Sequence, residues 1–166
     1  LTRFVPGPSL SLDPSGQEGR AQLEEFYRPP TSDWLRINLI QSLNGSATGP
    51  DKTSNSLSNP VDRTILKIIR NHADVVLVGS ATARKEGYVF PSKAELAIVT
   101  ATGDLSHVNI GNTSSTKKAL VLCPQSRRTT VEENLRDLPV ELIALEDNEG
   151  VIPSESIVAT LRARDF

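Results

Sequence analysis

The chain has 166 residues, 18 basic against 20 acidic side chains, a net charge of −2 and one cysteine. That length suits one domain with a real core, and a charge spread without a basic tail or basic–aromatic interleaving argues against nucleic-acid binding. No apolar run approaches a membrane span, no signal-peptide order opens the chain and a lone Cys123 excludes an internal disulfide, so the expectation is a soluble, cytoplasmic protein with no membrane partner.

Residues Leu1–Pro14 carry three prolines and no sustained periodicity, which reads as an extended arm. A helix is expected over Gly16–Tyr27, with Ala21, Leu23, Phe26 and Tyr27 as its apolar positions, and Pro29-Pro30 ends it. The arm and helix (1–30) are set apart from a main domain over 31–166. Leu35–Ile40 reads as the first strand, and the Gly-, Ser-, Thr- and Asn-rich stretch Asn44–Ser58 as a loop. Asn59-Pro60-Val61-Asp62 then starts a helix: Asn59 caps it, Pro60 suits its first turn and Asp62 sits at the positive end of its dipole. Val61, Ile65, Ile68 and Ile69 mark its buried face, and Arg63, Lys67 and Arg70 form a basic stripe beside it.

Four more apolar runs, Asp74–Val78, Glu95–Thr100, Lys118–Cys123 and Val140–Leu145, have the continuous character of strands covered on both faces. Thr130 to Glu133 has capping-box spacing and opens a short helix to about Asp137. Ser154 is expected to cap a last helix with Ile157, Val158 and Leu161 inside. Gly103–Thr116 is polar and expected to be a mobile loop. Five strands alternating with helices predict an α/β domain with a mainly parallel sheet. The chain contains no methionine and stops at Phe166 just after a helical pattern, so the domain is expected to continue past that point.

Two turns stand out as places for chemistry. Gly79 directly follows a buried strand and is followed by Ser80, Ala81 and Thr82, which offer hydroxyls and helix-start N–H groups to a phosphate. The alternative is an ordinary strand-to-helix turn. It is neither the dinucleotide fingerprint nor a P-loop, because the later glycines and the Gly-Lys pair are missing. Ser42-Leu43-Asn44-Gly45 follows the first expected strand, and in open α/β sheets ligands gather at the carboxyl ends of strands. A plain Asn-Gly turn is its alternative. His72 and His107 are isolated and the lone cysteine offers no zinc set, so no metal is expected.

Over Arg36–Tyr88 these pieces resemble the reductase domain of the bifunctional riboflavin-biosynthesis deaminase/reductases, with its dihydrofolate-reductase-like fold. The family pattern is an apolar strand, S-x-D-G, a loop, a (T/S)-x-P helix start, an Arg at the helix end, a strand running into G-x-x-T, and an acidic residue. Here it reads Leu39–Ile40, Ser42-Leu43-Asn44-Gly45, Ser58-Asn59-Pro60, Arg70, Ala73–Thr82 and Glu86-Gly87.

The resemblance implies NADPH as hydride donor and a phosphorylated ribosylaminopyrimidine, 5-amino-6-(5-phosphoribosylamino)uracil, as acceptor, its ribosyl chain becoming ribityl. It places Ile40, Ser56, Gly79, Ser80, Thr82 and Glu86 toward the cofactor, with Thr100 and Thr102 near the adenosine 2′-phosphate. It places Ser54 and Arg70 toward the substrate and Asn44 at the catalytic position, and it implies a homodimer. Asn44 stands where the family commonly has Asp, and an amide is no efficient proton donor near neutral pH. Water or another residue must then supply the proton, or the substrate differs. A dihydropterin is the competing substrate on the same fold, and a nucleotide-binding protein without catalysis is the competing class. The family's glycine–glycine loop would fall beyond Phe166, and the zinc motif of the deaminase half is absent.

Overall fold

The structure, a computed structural model, describes residues 2–3, 10–87, 91–110 and 118–166. It comprises two compact units, Leu1–His72 and Ala73–Phe166.

In the first unit, β1 (Thr2–Arg3) and β2 (Leu10–Ser11) pair antiparallel where the sequence reading expects only an extended arm. Helix α1 (Gln17–Tyr27) packs on α2 (Pro60–Asn71). Leu12, Leu23 and Ile68 are buried between them, with Tyr27 and Ile65 against that cluster. Gly19 is buried against the Asp13 backbone, where a Cβ would lie 2.0 Å from the carbonyl oxygen. The amphipathic spacing therefore selects Ile65 and Ile68 of α2, while Val61 and Ile69 are half-buried outside that cluster. In α1 it selects Leu23 but not Ala21, which is exposed, nor Phe26, which is 39% exposed. Asn59 caps α2 as expected: its Oδ1 accepts the N–H groups of Val61 and Asp62 at 2.9 and 3.0 Å.

The expected first strand does not form. Residues 35–40 belong to no ladder, and Leu35, Ile37 and Leu39 are 62%, 87% and 71% exposed. Alternating apolar residues suit a strand, but a strand exists only when another backbone takes up its N–H and C=O groups. The segment is fastened instead at Arg36, whose Nη1 donates to the Tyr27 carbonyl at 2.7 Å while its guanidinium stacks over the Tyr27 ring.

The second unit is a four-stranded parallel sheet with strand order β3-β4-β5-β6: β3 (Val75–Gly79), β4 (Glu95–Val99), β5 (Ala119–Pro124) and β6 (Val140–Leu145). These are four of the five expected strands, shifted by a residue or so. Strand alternation divides the core. Leu96, Ile98, Ala119, Val121 and Cys123 face one side, under Leu105 and Ile110 and under Val131 and Leu135 of α4 (Arg128–Leu135). Ala97, Leu120 and Leu122 face the other side, under Leu161 and Ile157 of α5 (Ser154–Arg162). Strands added in sequence order with one crossover hand place successive connections on the same face, and the β4–β5 and β5–β6 connections both cover the first side.

Three expectations are corrected here. Chain 103–110 is anchored, not loose, because Leu105 and Ile110 are 5% and 2% exposed; the rest of the expected loop, 111–117, lies outside the described residues. Thr130 is no cap, since the chain enters α4 through a 3-10 turn at Gln125–Arg127 and Thr130 lies inside the helix. Ser154 is the first residue of α5 and not its cap: Pro153 holds that place and no side-chain cap bond forms.

Candidate functional site

The loop side of the first unit is built from short polar turns. In the Ser42–Ser46 turn, Ser42 Oγ donates to Asn44 Oδ1 at 2.5 Å, and the Ser46 N–H reaches the same oxygen at 3.4 Å. Gly45 has φ +85°, which glycine adopts freely, and its N–H donates to the Ser42 carbonyl at 2.9 Å. Asn44 is thus exposed with its amide oxygen engaged by the turn, and its Nδ2 is the group it can offer a ligand. Ile40 lies half-buried in the extended stretch before this turn.

The next turn is organised by Asp51, a residue the sequence reading passes over. Its carboxylate accepts from the Thr53 N–H at 3.1 Å, Thr53 Oγ1 at 2.7 Å and Ser56 Oγ at 2.8 Å. The Thr53 and Ser56 donors hold its carboxyl below the ordinary aspartate value. Asp-x-Thr spacing is the sequence signal for such a turn. Gly49 leaves room beneath it, because a Cβ there would sit 1.7 Å from Ser56 Oγ and displace that hydroxyl. Arg63, from the basic stripe, donates to Asn55 Oδ1 at 2.7 Å and fastens the Ser54–Ser56 segment to α2. Ser54 is half-buried, and Arg70 lies half-buried in the last turn of α2. Arg63 and Arg70 are two turns apart on one helix, about 10 Å along its axis.

In the second unit, Gly79 ends β3 and α3 (Ser80–Lys85) begins at once. Gly79 has φ −76° and open space where a Cβ would lie, so the turn itself does not demand glycine. What glycine leaves is unobstructed access to exposed backbone. Ser80 is half-buried and Thr82 is exposed. Glu86 caps the carboxyl end of α3, its N–H donating to the Thr82 carbonyl at 2.9 Å.

Gly79 pairs in register with Val99, so Thr100 follows the carboxyl end of the neighbouring strand. Its position differs from that of a ligand contact. Thr100 is 2% exposed, and its Oγ1 accepts the N–H groups of Thr102 at 3.3 Å and Gly103 at 3.0 Å. Its hydroxyl shapes the loop that carries Thr102, which is exposed. Gly103 has φ +74°, and a Cβ there would meet the Val131 backbone at 3.0 Å. The structure thus brings Gly79, Ser80 and Thr82 to one strand end and Thr100 and Thr102 to the adjacent one. This is the carboxyl edge of a parallel sheet, where open α/β sheets take their ligands.

Elsewhere at that edge, Asp147 joins the ends of β5 and β6 by accepting from the Ser126 N–H and Oγ, both at 2.8 Å, and from the Gly150 N–H at 2.7 Å. Cys123 is buried in β5 and desolvation raises its thiol pKa, so it is a core hydrophobe, not a nucleophile. Among the described residues no group of His, Cys, Asp and Glu is arranged to hold a metal, and no helix is long and apolar enough to cross a membrane.

Residues 33–165 match the profile of the RibD C-terminal domain. The chain belongs to this family. A solved structure of a pyrimidine reductase-like protein from Corynebacterium diphtheriae shares the fold, with a TM-score of 0.58 and 24% identity. The similarity covers 77% of this chain and 60% of that one, so the chain spans less than two thirds of its length. No curated protein matches the chain. The α/β, dihydrofolate-reductase-like class expected from the sequence is the fold found, with four strands of its sheet formed.

Proposed function

We propose that the chain is an NADPH-dependent pyrimidine reductase of the riboflavin-biosynthesis type, acting on 5-amino-6-(5-phosphoribosylamino)uracil and converting its ribosyl chain to ribityl. The observation that carries this reading is the family match across 33–165, which includes every quoted motif. The carboxyl edge of β3 and β4 fits the cofactor: Gly79 leaves the backbone open, and Thr82 and Thr102 are exposed at neighbouring strand ends. When bound there, NADPH supplies the hydride.

The chain's own residues supply orientation. Gly79, Ser80, Thr82 and Glu86 bind the cofactor, with Thr102 toward its 2′-phosphate and Thr100 shaping that loop. Arg70 and Ser54 hold the substrate, Arg70 giving its phosphate a charge-assisted, two-pronged hydrogen bond. Asn44 fixes the Ser42–Ser46 turn and orients substrate through Nδ2. An amide does not release a proton near neutral pH, so water delivers the proton that accompanies the hydride. The working form is a cytoplasmic homodimer.

Asn44 in place of the family's Asp favours one second reading, a dihydropterin as substrate. Loss of reduced-nicotinamide absorbance is to be followed with a panel of phosphorylated pyrimidines and dihydropterins. The pyrimidine is expected to accelerate oxidation, and a pterin preference would select the second reading. NADPH binding without acceleration by any substrate would leave a non-catalytic nucleotide-binding protein. Arg70→Ala is expected to raise the KM for substrate well above any change for NADPH; equal losses would remove Arg70 from its role.

A further inference from the structure

Helix α3 spans six residues, too few to be stable alone, and is held by burial of Ala83 and by the side chain of Arg84. Arg84 Nη1 donates to the Asp104 carbonyl at 2.7 Å, and its Nε lies 3.4 Å from Asp104 Oδ2. The other carboxylate oxygen of Asp104 accepts the Ser106 N–H at 3.0 Å, so the acceptor is itself fixed. From the opposite side, Asn134 Nδ2 donates to the Thr102 carbonyl at 2.6 Å, and Gly103 sits close against the Val131 backbone. The loop after β4 is thereby held between α3 and α4.

We infer that Arg84 is a positioning residue for dinucleotide binding, locking the Ser80–Thr82 segment after β3 to the Thr102–Asp104 segment after β4. The inference rests on the reading that these two strand ends take the cofactor. The first segment is a helix of six residues, marginal alone, whereas the second, without regular structure, is already fixed to the sheet and α4 by Thr100 and Asn134 and so offers α3 a firm anchor. A ligand that touches both must otherwise order the first on binding, and a tie made beforehand removes that cost. The contact is suited to this task more than to global stability. The Arg84 and Asp104 side chains are 28% and 50% exposed, and ion pairs so exposed contribute little to folding. Arginine suits this role because one guanidinium reaches a carbonyl and a carboxylate at once, which a lysine ammonium on its flexible stem does less well.

The test uses the whole chain, with titration of NADPH and NADH fluorescence on the unaltered protein, Arg84→Ala, Arg84→Lys and Asp104→Asn. Arg84→Ala is expected to raise both dissociation constants about tenfold, or ~1.4 kcal/mol, and Arg84→Lys about threefold. The kcat at saturating NADPH is expected to stay within about twofold and the melting temperature to move little, as for loss of an exposed pair. Unchanged affinity in Arg84→Ala overturns the inference while leaving the cofactor reading intact. A loss confined to NADPH overturns it too, because Arg84 would then be a direct ligand of the 2′-phosphate. If the unaltered protein binds neither dinucleotide, it is the cofactor reading that fails. Should Arg84→Ala fail to fold, Arg84→Lys and Asp104→Asn carry the same comparison.

Discussion

Asp51 shows how one carboxylate can define a loop. Three donors from Thr53 and Ser56 converge on it, and their effect is to keep it ionised below the ordinary value of 3.8. Because the folded pKa is the lower one, the unfolded chain binds the extra proton first as acid is added. The stabilisation is therefore fully present above pH 3.8 and is lost as pH falls through the folded value. Amide resonances of Thr53 and Ser56 are expected to hold their neutral-pH positions through the ordinary aspartate range and to shift only below it. Asp51→Asn should abolish that transition. A transition centred at the ordinary value would show that the three hydrogen bonds do not persist in solution. Asn44 is the counterpart on the preceding turn: its side chain builds the turn much as an aspartate would, yet cannot act as an acid. Structural and chemical roles separate at that single position.

At the scale of elements, α2 is the best specified by its own sequence. Asn59 accepts two otherwise orphaned N–H groups, Pro60 occupies the first turn, and Ile68 and Ile65 face Leu23. Asn59→Ala is expected to lower stability by about 1 kcal/mol, read from the urea midpoint, with Asn59→Asp close to the unaltered protein. A neutral alanine substitution would mean the cap is dispensable. Helices α4 and α5 show why such signals fail elsewhere. The Thr130 spacing is that of a capping box, but the 3-10 turn after Pro124 starts the helix before the motif is reached. Residues 35–40 make the same point for strands, since their composition is suitable and their pairing partner is missing. Arg84 and Asp104 are 20 positions apart and leave no local pattern to read.

For the whole molecule, stability concentrates in the parallel sheet, whose inner strand β5 is buried at every residue. Leu122 is 0% exposed within the cluster under α5, whereas Leu39 is 71% exposed. Leu122→Ala is expected to cost about 2–5 kcal/mol in denaturant unfolding. Leu39→Ala should stay within about 0.5 kcal/mol, as for an exposed position. Comparable losses at both positions would place residues 35–40 in a packed core.

The sequence by itself determined the α/β class, four strands to within a residue or so, the cap and buried face of α2, and the reductase family. Those properties are encoded locally, in side-chain period, turn residues and motif order. Tertiary structure alone decided that 35–40 stays unpaired, that the Thr100 hydroxyl turns inward, and that Arg84 clasps Asp104. Each of those outcomes depends on which backbone or side chain from a distant part of the chain arrives beside it, and local spacing carries no record of that.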